Sequence, residues 1–197
     1  MIKPAFAFFG RRARVVLLVT AGAMASAMIG AGHVHATTLN WFHDDEAEIA
    51  KLTVCYALGT DAVGRGNLAQ GKAIYKPCFT NSAVFSVYYP DTPLNGPPAY
   101  STAGTSSWGD YVRDSFTANG YIATQHLMGS ININVDNNGI HGTMTSYLHA
   151  THVLPDGTID VANGTYEDEV VRQNGVWKIK TRTLKLIDFL NLGTPTP

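Results

Sequence analysis

The sequence predicts an α+β fold in which N-terminal helices pack on one face of a strongly curved, mainly antiparallel sheet, forming a cone with an internal pocket. Three observations predict it. Apolar residues recur at helical spacing from Asp44 to about residue 60, then the period changes to two from Tyr121 onward. The turn signals Asp136-Asn137-Asn138-Gly139, Pro155-Asp156-Gly157 and Gln173-Asn174-Gly175 divide the second region into four long strands. Strands of that length must twist and curl rather than lie flat, and helices followed by a strand meander place the helices on one face.

The elements follow in order. Asp44, Asp45 and Glu46 set carboxylates at the positive end of a helix dipole, with Ile49, Leu52, Tyr56 and Gly59 on one face, so a first helix is expected over 44–60. Gly64, Gly66 and Asn67 break it, and a short second helix spans 68–75 until Pro77 stops it. A short strand covers 83–88. Four prolines and Gly96 make 90–107 a long irregular excursion. Trp108, Tyr111, Val112 and Phe116 share a face of a third helix over 108–116, capped by Ser106 or Ser107. The meander then runs over 121–135, 140–154, 158–172 and 176–188.

Of 197 residues, 45% are hydrophobic and 15% charged, which excludes a disordered chain, and the 19 glycines and 9 prolines have no period. A net charge of −1 without a basic cluster argues against nucleic acid as a partner. Residues 1–36 read separately hold Lys3, Arg11, Arg12 and Arg14 but no acid, then an apolar stretch from Val15 to Gly32 and the small-residue site Val34-His35-Ala36. That order is expected to be a signal peptide cleaved after Ala36, in preference to a retained anchor. Adjacent Arg11 and Arg12 suit the twin-arginine route. The expected product is an exported domain, 37–197, periplasmic or secreted, with no membrane span after processing. Four of the 14 basic residues and none of the 15 acidic ones fall in the leader, so the domain carries −5. Cys55 and Cys78 are either a disulfide, which an oxidising compartment would preserve, or two small buried hydrophobes.

On the second meander strand Met144, Ser146, Leu148, Ala150 and His152 form the less polar face, opposite Thr143, Thr145, Tyr147, His149 and Thr151. His152 is thereby a lone imidazole ending an apolar row, read either as a pocket residue or as a histidine satisfied by its neighbours. His126, near the start of the preceding antiparallel strand, can approach it across the ladder. A metal site is not expected, because no third ligand stands at a suitable spacing. Asp61, five residues after Tyr56, falls where the first helix runs out; it either caps the turn or holds a histidine in one tautomer as a general base. Gly59, Gly64 and Gly66 lack dinucleotide-binding spacing, and no cofactor is expected. Trp108, Tyr111 and Phe116 are either core or the mouth of the pocket.

The stretches Tyr56-Ala57-Leu58-Gly59-Thr60-Asp61, Thr124-Gln125-His126-Leu127-Met128-Gly129, Ser146 to His152, and Gly164-Thr165-Tyr166 leading to Asn174-Gly175-Val176-Trp177-Lys178-Ile179 resemble, in order and spacing, the SnoaL-like group of the nuclear transport factor 2-like superfamily. That group includes scytalone dehydratase and bile-acid dehydratases. The resemblance covers about 44–188 and implies a cystatin-like α+β barrel. It implies an Asp61–His126 pair, Tyr56 as the helix-1 tyrosine of the bile-acid enzymes, and His152 as the second histidine of scytalone dehydratase. Tyr166 falls at a pocket position, and Leu148, Met128 and Trp108 complete the expected substrate-binding set. Two departures stand out. Val84-Phe85-Ser86-Val87 lacks the first-strand tyrosine of scytalone dehydratase, although Tyr88 and Tyr89 follow. The final-strand basic residue of the bile-acid enzymes has no clean match, Arg182 and Lys185 both being near but out of step. The resulting expectation is an exported, cofactor-independent lyase of dehydratase type, or an isomerase, acting on a small, mostly apolar, oxygenated molecule that is steroid-like or polyketide-like. The alternative is a non-catalytic binding or dimerising domain of the same fold. The outer face around Tyr147 and His149 suits pairing with its own copy, so a homo-oligomer, dimer or trimer, is expected.

Overall fold

A computed structural model describes residues 39–193, and the expected leader lies outside them. Helix α1 runs Leu39–Gly64, α2 Leu68–Cys78 and α3 Thr105–Ala118; the strands are β1 Phe79–Tyr88, β2 Tyr100–Ala103, β3 Ala123–Val135, β4 His141–Val153, β5 Ile159–Gln173 and β6 Val176–Asn191. The expected α+β class and meander are present, but the sheet has six strands in the order β2-β1-β6-β5-β4-β3. One pair, β1 with β6, is parallel; the others are antiparallel. Register shifts at Gly129/Asn132, Asn163/Gly164 and Glu169/Val170 add local twist, which is how strands this long curl around a core.

Several boundaries differ from expectation for identifiable reasons. Helix α1 begins at Leu39, so Asp44 to Glu46 lie in its second turn rather than at the dipole end. Asp45 instead is 5% exposed and accepts hydrogen bonds from Trp177 Nε1 at 3.1 Å and from Arg172, pinning α1 to the sheet. The helix continues through Gly59 to Gly64, which places Asp61 in its last turn. Gly59 is tolerated there because a Cβ would sit 2.6 Å from the Tyr75 ring of α2, so the glycine is a contact point between helices. Pro77 does not stop α2; it lies one residue before the end, where it removes a hydrogen bond from the last turn only. Asn67 caps α2 by accepting from Gln70 N at 3.1 Å. Within the expected irregular excursion, β2 pairs with β1 and α3 starts at Thr105 behind Gly104, whose φ is +83°. Neither Ser106 nor Ser107 caps α3; Ser106 Oγ accepts from Lys72 Nζ at 3.1 Å.

The helices cover the concave face. Ile49, Leu52, Tyr56 and Val63 of α1, Tyr75 of α2 and Trp108 and Val112 of α3 are buried against Phe79, Phe85, Met144, Leu148, Val170 and Ile179 of the sheet. Cys55 and Cys78 are disulfide-bonded, so the bridge expected as one of two alternatives is the one formed. At the α1–α2 crossing Gly71 packs against α1: a Cβ there would meet Gly59 O at 2.7 Å, and also Val63. Gly71→Ala is therefore expected to lower the unfolding free energy by about 1–3 kcal/mol, measured by urea denaturation at unchanged m-value. A change below about 0.5 kcal/mol would mean that the two helices part without cost.

Candidate active site

The last turn of α1 meets the start of β3, and there the site is assembled. Gly64 lies so close to Thr124 that a Cβ would collide with it, which lets the helix end settle on the strand. Asp61, 8% exposed, then receives three hydrogen bonds from β3: Thr124 Oγ1 at 3.2 Å, the His126 backbone N–H at 3.3 Å, and His126 Nδ1 at 2.8 Å. A carboxylate can only accept, so Nδ1 carries a proton, and in the neutral tautomer this selects, the lone pair is on Nε2. The His126 side chain is 5% exposed. Asp61 thus does not cap a turn; it orients an imidazole.

That imidazole lines a cavity of about 300 Å³ between α1, α3 and the concave face of the sheet. Tyr56, Trp108, Leu148, His152 and Tyr166 line it too, so the structure brings together seven of the eight residues expected at the site, counting Asp61 behind His126. Met128 is the exception. It stands opposite Leu148 in register but is only partly buried and packs against the core without reaching the wall. Tyr111 and Phe116 also line the cavity while packing against the core, so they do both of the things expected as alternatives. Among the described residues no Lys, Arg, Asp or Glu lines it.

The second histidine has a different environment. His152, 3% exposed, stands opposite Thr124 with its ring 5.8 Å from that of His126, enclosed by Phe116, Tyr121 and Phe189 at centroid distances of 5.4, 4.7 and 5.6 Å. Its Nδ1 has no partner within the protein. Burial, reinforced by His126 beside it, pushes its pKa from 6.5 down to about 4, so the ring is neutral near pH 7.

Tyr56 stands on a polar floor of Tyr166, Arg182 and Asp168, of which the sequence pointed to the first two but not to Asp168. The Tyr166 hydroxyl donates to the Tyr56 hydroxyl oxygen at 3.2 Å, leaving the Tyr56 proton to be donated elsewhere. Burial raises the Tyr56 pKa above its ordinary 10, so it remains a neutral donor. Beneath the ring, 4.1 Å from its centroid, lies the Arg182 guanidinium, held in a bidentate pair with Asp168 at 2.8 and 2.7 Å; both charged residues are buried. Lys185, by contrast, pairs with Glu167 at 2.6 Å away from the cavity. A signal for the buried pair exists in the sequence: Tyr166, Asp168 and Val170 alternate on one face of β5, so Asp168 occupies an inward position that demands a cation.

The SnoaL-like domain family matches residues 42–183. The chain belongs to that family. Solved structures agree in fold. A candidate scytalone dehydratase from Novosphingobium aromaticivorans is 17% identical over 81% of this chain and 95% of its own, with a TM-score of 0.59. The hexachlorocyclohexane dehydrochlorinase LinA-type3 of Novosphingobium barchaimii is 15% identical over 82% and 99%, with a TM-score of 0.61. The Kribbella flavida protein Kfla4162 is 21% identical over 76% and 95%, with a TM-score of 0.59. No curated protein sequence matches the chain. Against the family-based expectation, Arg182 is the buried final-strand cation and Lys185 is not.

The His152 environment gives this SnoaL-like domain an acid-sensitive element. As pH falls, the unfolded chain takes the proton at about 6.5 while the folded ring resists until about 4. The stability contribution is complete above pH 6.5 and is lost on descent to 4, on the order of 3 kcal/mol at about 1.4 kcal/mol per unit. His152→Phe keeps the aromatic packing and removes the titration, so its unfolding free energy should decline less steeply over that range. Equal slopes for variant and wild type would show that His152 does not resist protonation.

Proposed function

We propose that the domain is an exported, cofactor-independent lyase of dehydratase type, or an isomerase, acting on an uncharged, mostly apolar, oxygenated ring compound. One observation carries the reading: a carboxylate-oriented imidazole, Asp61–His126 at 2.8 Å, at the wall of an aromatic cavity without charged lining. His126 Nε2 takes a proton from the carbon beside a carbonyl, and the charge that builds on the carbonyl oxygen is held by the Tyr56 O–H. The proton then passes from His126 to a departing hydroxyl, which leaves as water. Returned to a different carbon, the same proton completes an isomerisation. His152, neutral, binds a second oxygen through its ring N–H rather than acting as a charged acid. Two structural neighbours are named for eliminations, a dehydration and a dehydrochlorination, which supports the lyase form. The Cys55–Cys78 disulfide and the leader pattern in 1–36 support export.

Assays on hydroxy-ketones and ring ketones test the chemistry. Asp61→Asn and His126→Ala should each lower kcat by about 10²–10⁴ while ligand affinity is retained. A wild-type protein that binds such ligands and turns none over would support the second reading, a binding domain of the same fold.

The exposed outer face favours self-association, and the assembly we assign to it is a homo-oligomer. Tyr147, 60% exposed, and Leu127, 55% exposed, flank an ordered ladder in which His149 meets Asn163 at 2.8 Å and Asn163 Nδ2 donates to Asp188 at 2.8 Å. Apolar groups around fixed polar ones are what a self-complementary interface needs. Tyr147→Glu should convert the wild-type oligomer to monomer in size-exclusion chromatography with light scattering; a monomeric wild type would remove the proposal.

A further inference from the structure

The disulfide occupies a position whose consequences reach the cavity. Cys55 immediately precedes Tyr56, and Cys78 immediately precedes Phe79. The two following rings are in contact, with centroids 6.3 Å apart and edge to face, and both lie over the Arg182 guanidinium, at 4.1 Å for Tyr56 and 5.6 Å for Phe79. Successive residues on a helix are turned about 100° from one another, so fixing the direction of Cys55 fixes that of Tyr56. Asp61, farther along the same helix, is fixed separately by Thr124 and His126 of β3. Helix α1, tied near its start by Asp45, is therefore also held on either side of Tyr56, by Cys55 and by Asp61.

We infer that the Cys55–Cys78 disulfide is a positioning element of the site, setting the rotation of α1 so that the Tyr56 hydroxyl faces the same space as His126. The inference rests on the proposed acid–base reading for its effect on rate, but not for its effect on the place of Tyr56. Reduction opens one bond: two electrons and two protons from dithiothreitol convert it to two thiols, and dithiothreitol closes to its cyclic disulfide. Cys55 is only partly buried, so a small reductant can reach it. The helix pair stays packed without the bond, because Gly59 and Gly71 hold α1 and α2 at close contact and Thr60 Oγ1 meets the Tyr75 hydroxyl at 2.7 Å. The site should therefore be detuned while the fold remains.

The test compares oxidised, reduced and Cys55→Ser/Cys78→Ser proteins at a temperature where far-UV circular dichroism shows all three folded. Two readouts are needed. With 3-fluorotyrosine placed at position 56, the ¹⁹F resonance should shift on reduction and return on reoxidation. Fluorotyrosine at exposed Tyr147 should not respond. On any substrate turned over by the oxidised protein, kcat should fall about tenfold with KM within about twofold, the pattern of a misplaced transition-state contact. An unmoved resonance, or unchanged kcat beside a merely lower Tm, would overturn the inference and leave the bridge a stability staple. Absence of turnover in the oxidised wild type would overturn the enzyme reading instead, and the fluorine resonance would still decide the role of the disulfide.

Discussion

One buried carboxylate organises this molecule. Asp61 is the point where the helical layer meets the edge of the sheet, and its two oxygens take all three donors that β3 offers there. A buried carboxylate without such partners would cost several kcal/mol, so the contact is nearly all-or-none. Because it includes both the backbone and the side chain of His126, it fixes the register of α1 against β3 and the tautomer of the imidazole together. The end of α1 and the chemistry of the cavity therefore share one anchor.

Two other buried carboxylates repeat this logic at other places. Asp45 ties the early part of α1 to Arg172 and Trp177, and Asp168 holds Arg182 beneath Tyr56. Each carboxylate is buried beside a cation or an N–H from a different element, so each is satisfied only in one arrangement of layers. Apolar packing alone tolerates sliding; these pairs do not. The cost is that removing either partner strands a charge, and the benefit is a cavity floor whose tyrosine is held by a cation on one side and a hydroxyl donor, Tyr166, on the other.

How much of this could be read from the sequence depends on the distance over which each feature is decided. The meander was legible because alternation and turn residues are local: Asn174-Gly175 closes the β5–β6 hairpin with both residues at positive φ. Strand β2 was not, since four residues of ordinary composition become a strand only by pairing with β1, and α1 runs past its expected end because Gly64, read as a breaker, packs against Thr124 of β3. In the site, His152 was visible as the end of an apolar row, whereas Asp61 and His126 were joined only through family resemblance, being 65 residues apart. Arg182 and Asp168 were obscured by company. Glu167 and Glu169 flank Asp168, and Lys180 and Lys185 lie near Arg182, so one inward charge among several outward ones leaves a weak trace in the pattern.

The two histidines show why the arrangement suits proton transfer rather than charge binding. They stand 5.8 Å apart in one cavity, close enough that protonating both would set like charges against each other without solvent between them. The structure resolves the conflict by giving them unlike surroundings. His126 has the Asp61 carboxylate hydrogen-bonded to its ring; His152 has Phe116, Tyr121 and Phe189 around it, and the cost of burying a charge there outweighs the attraction of Asp160 and Asp61. In the proposed reaction His126 carries the proton, while His152 stays neutral and offers only a hydrogen bond. With a carboxylate on one face and aromatic rings on the other, the same residue type supplies two separate functions, and the cavity needs no charged lining to do so.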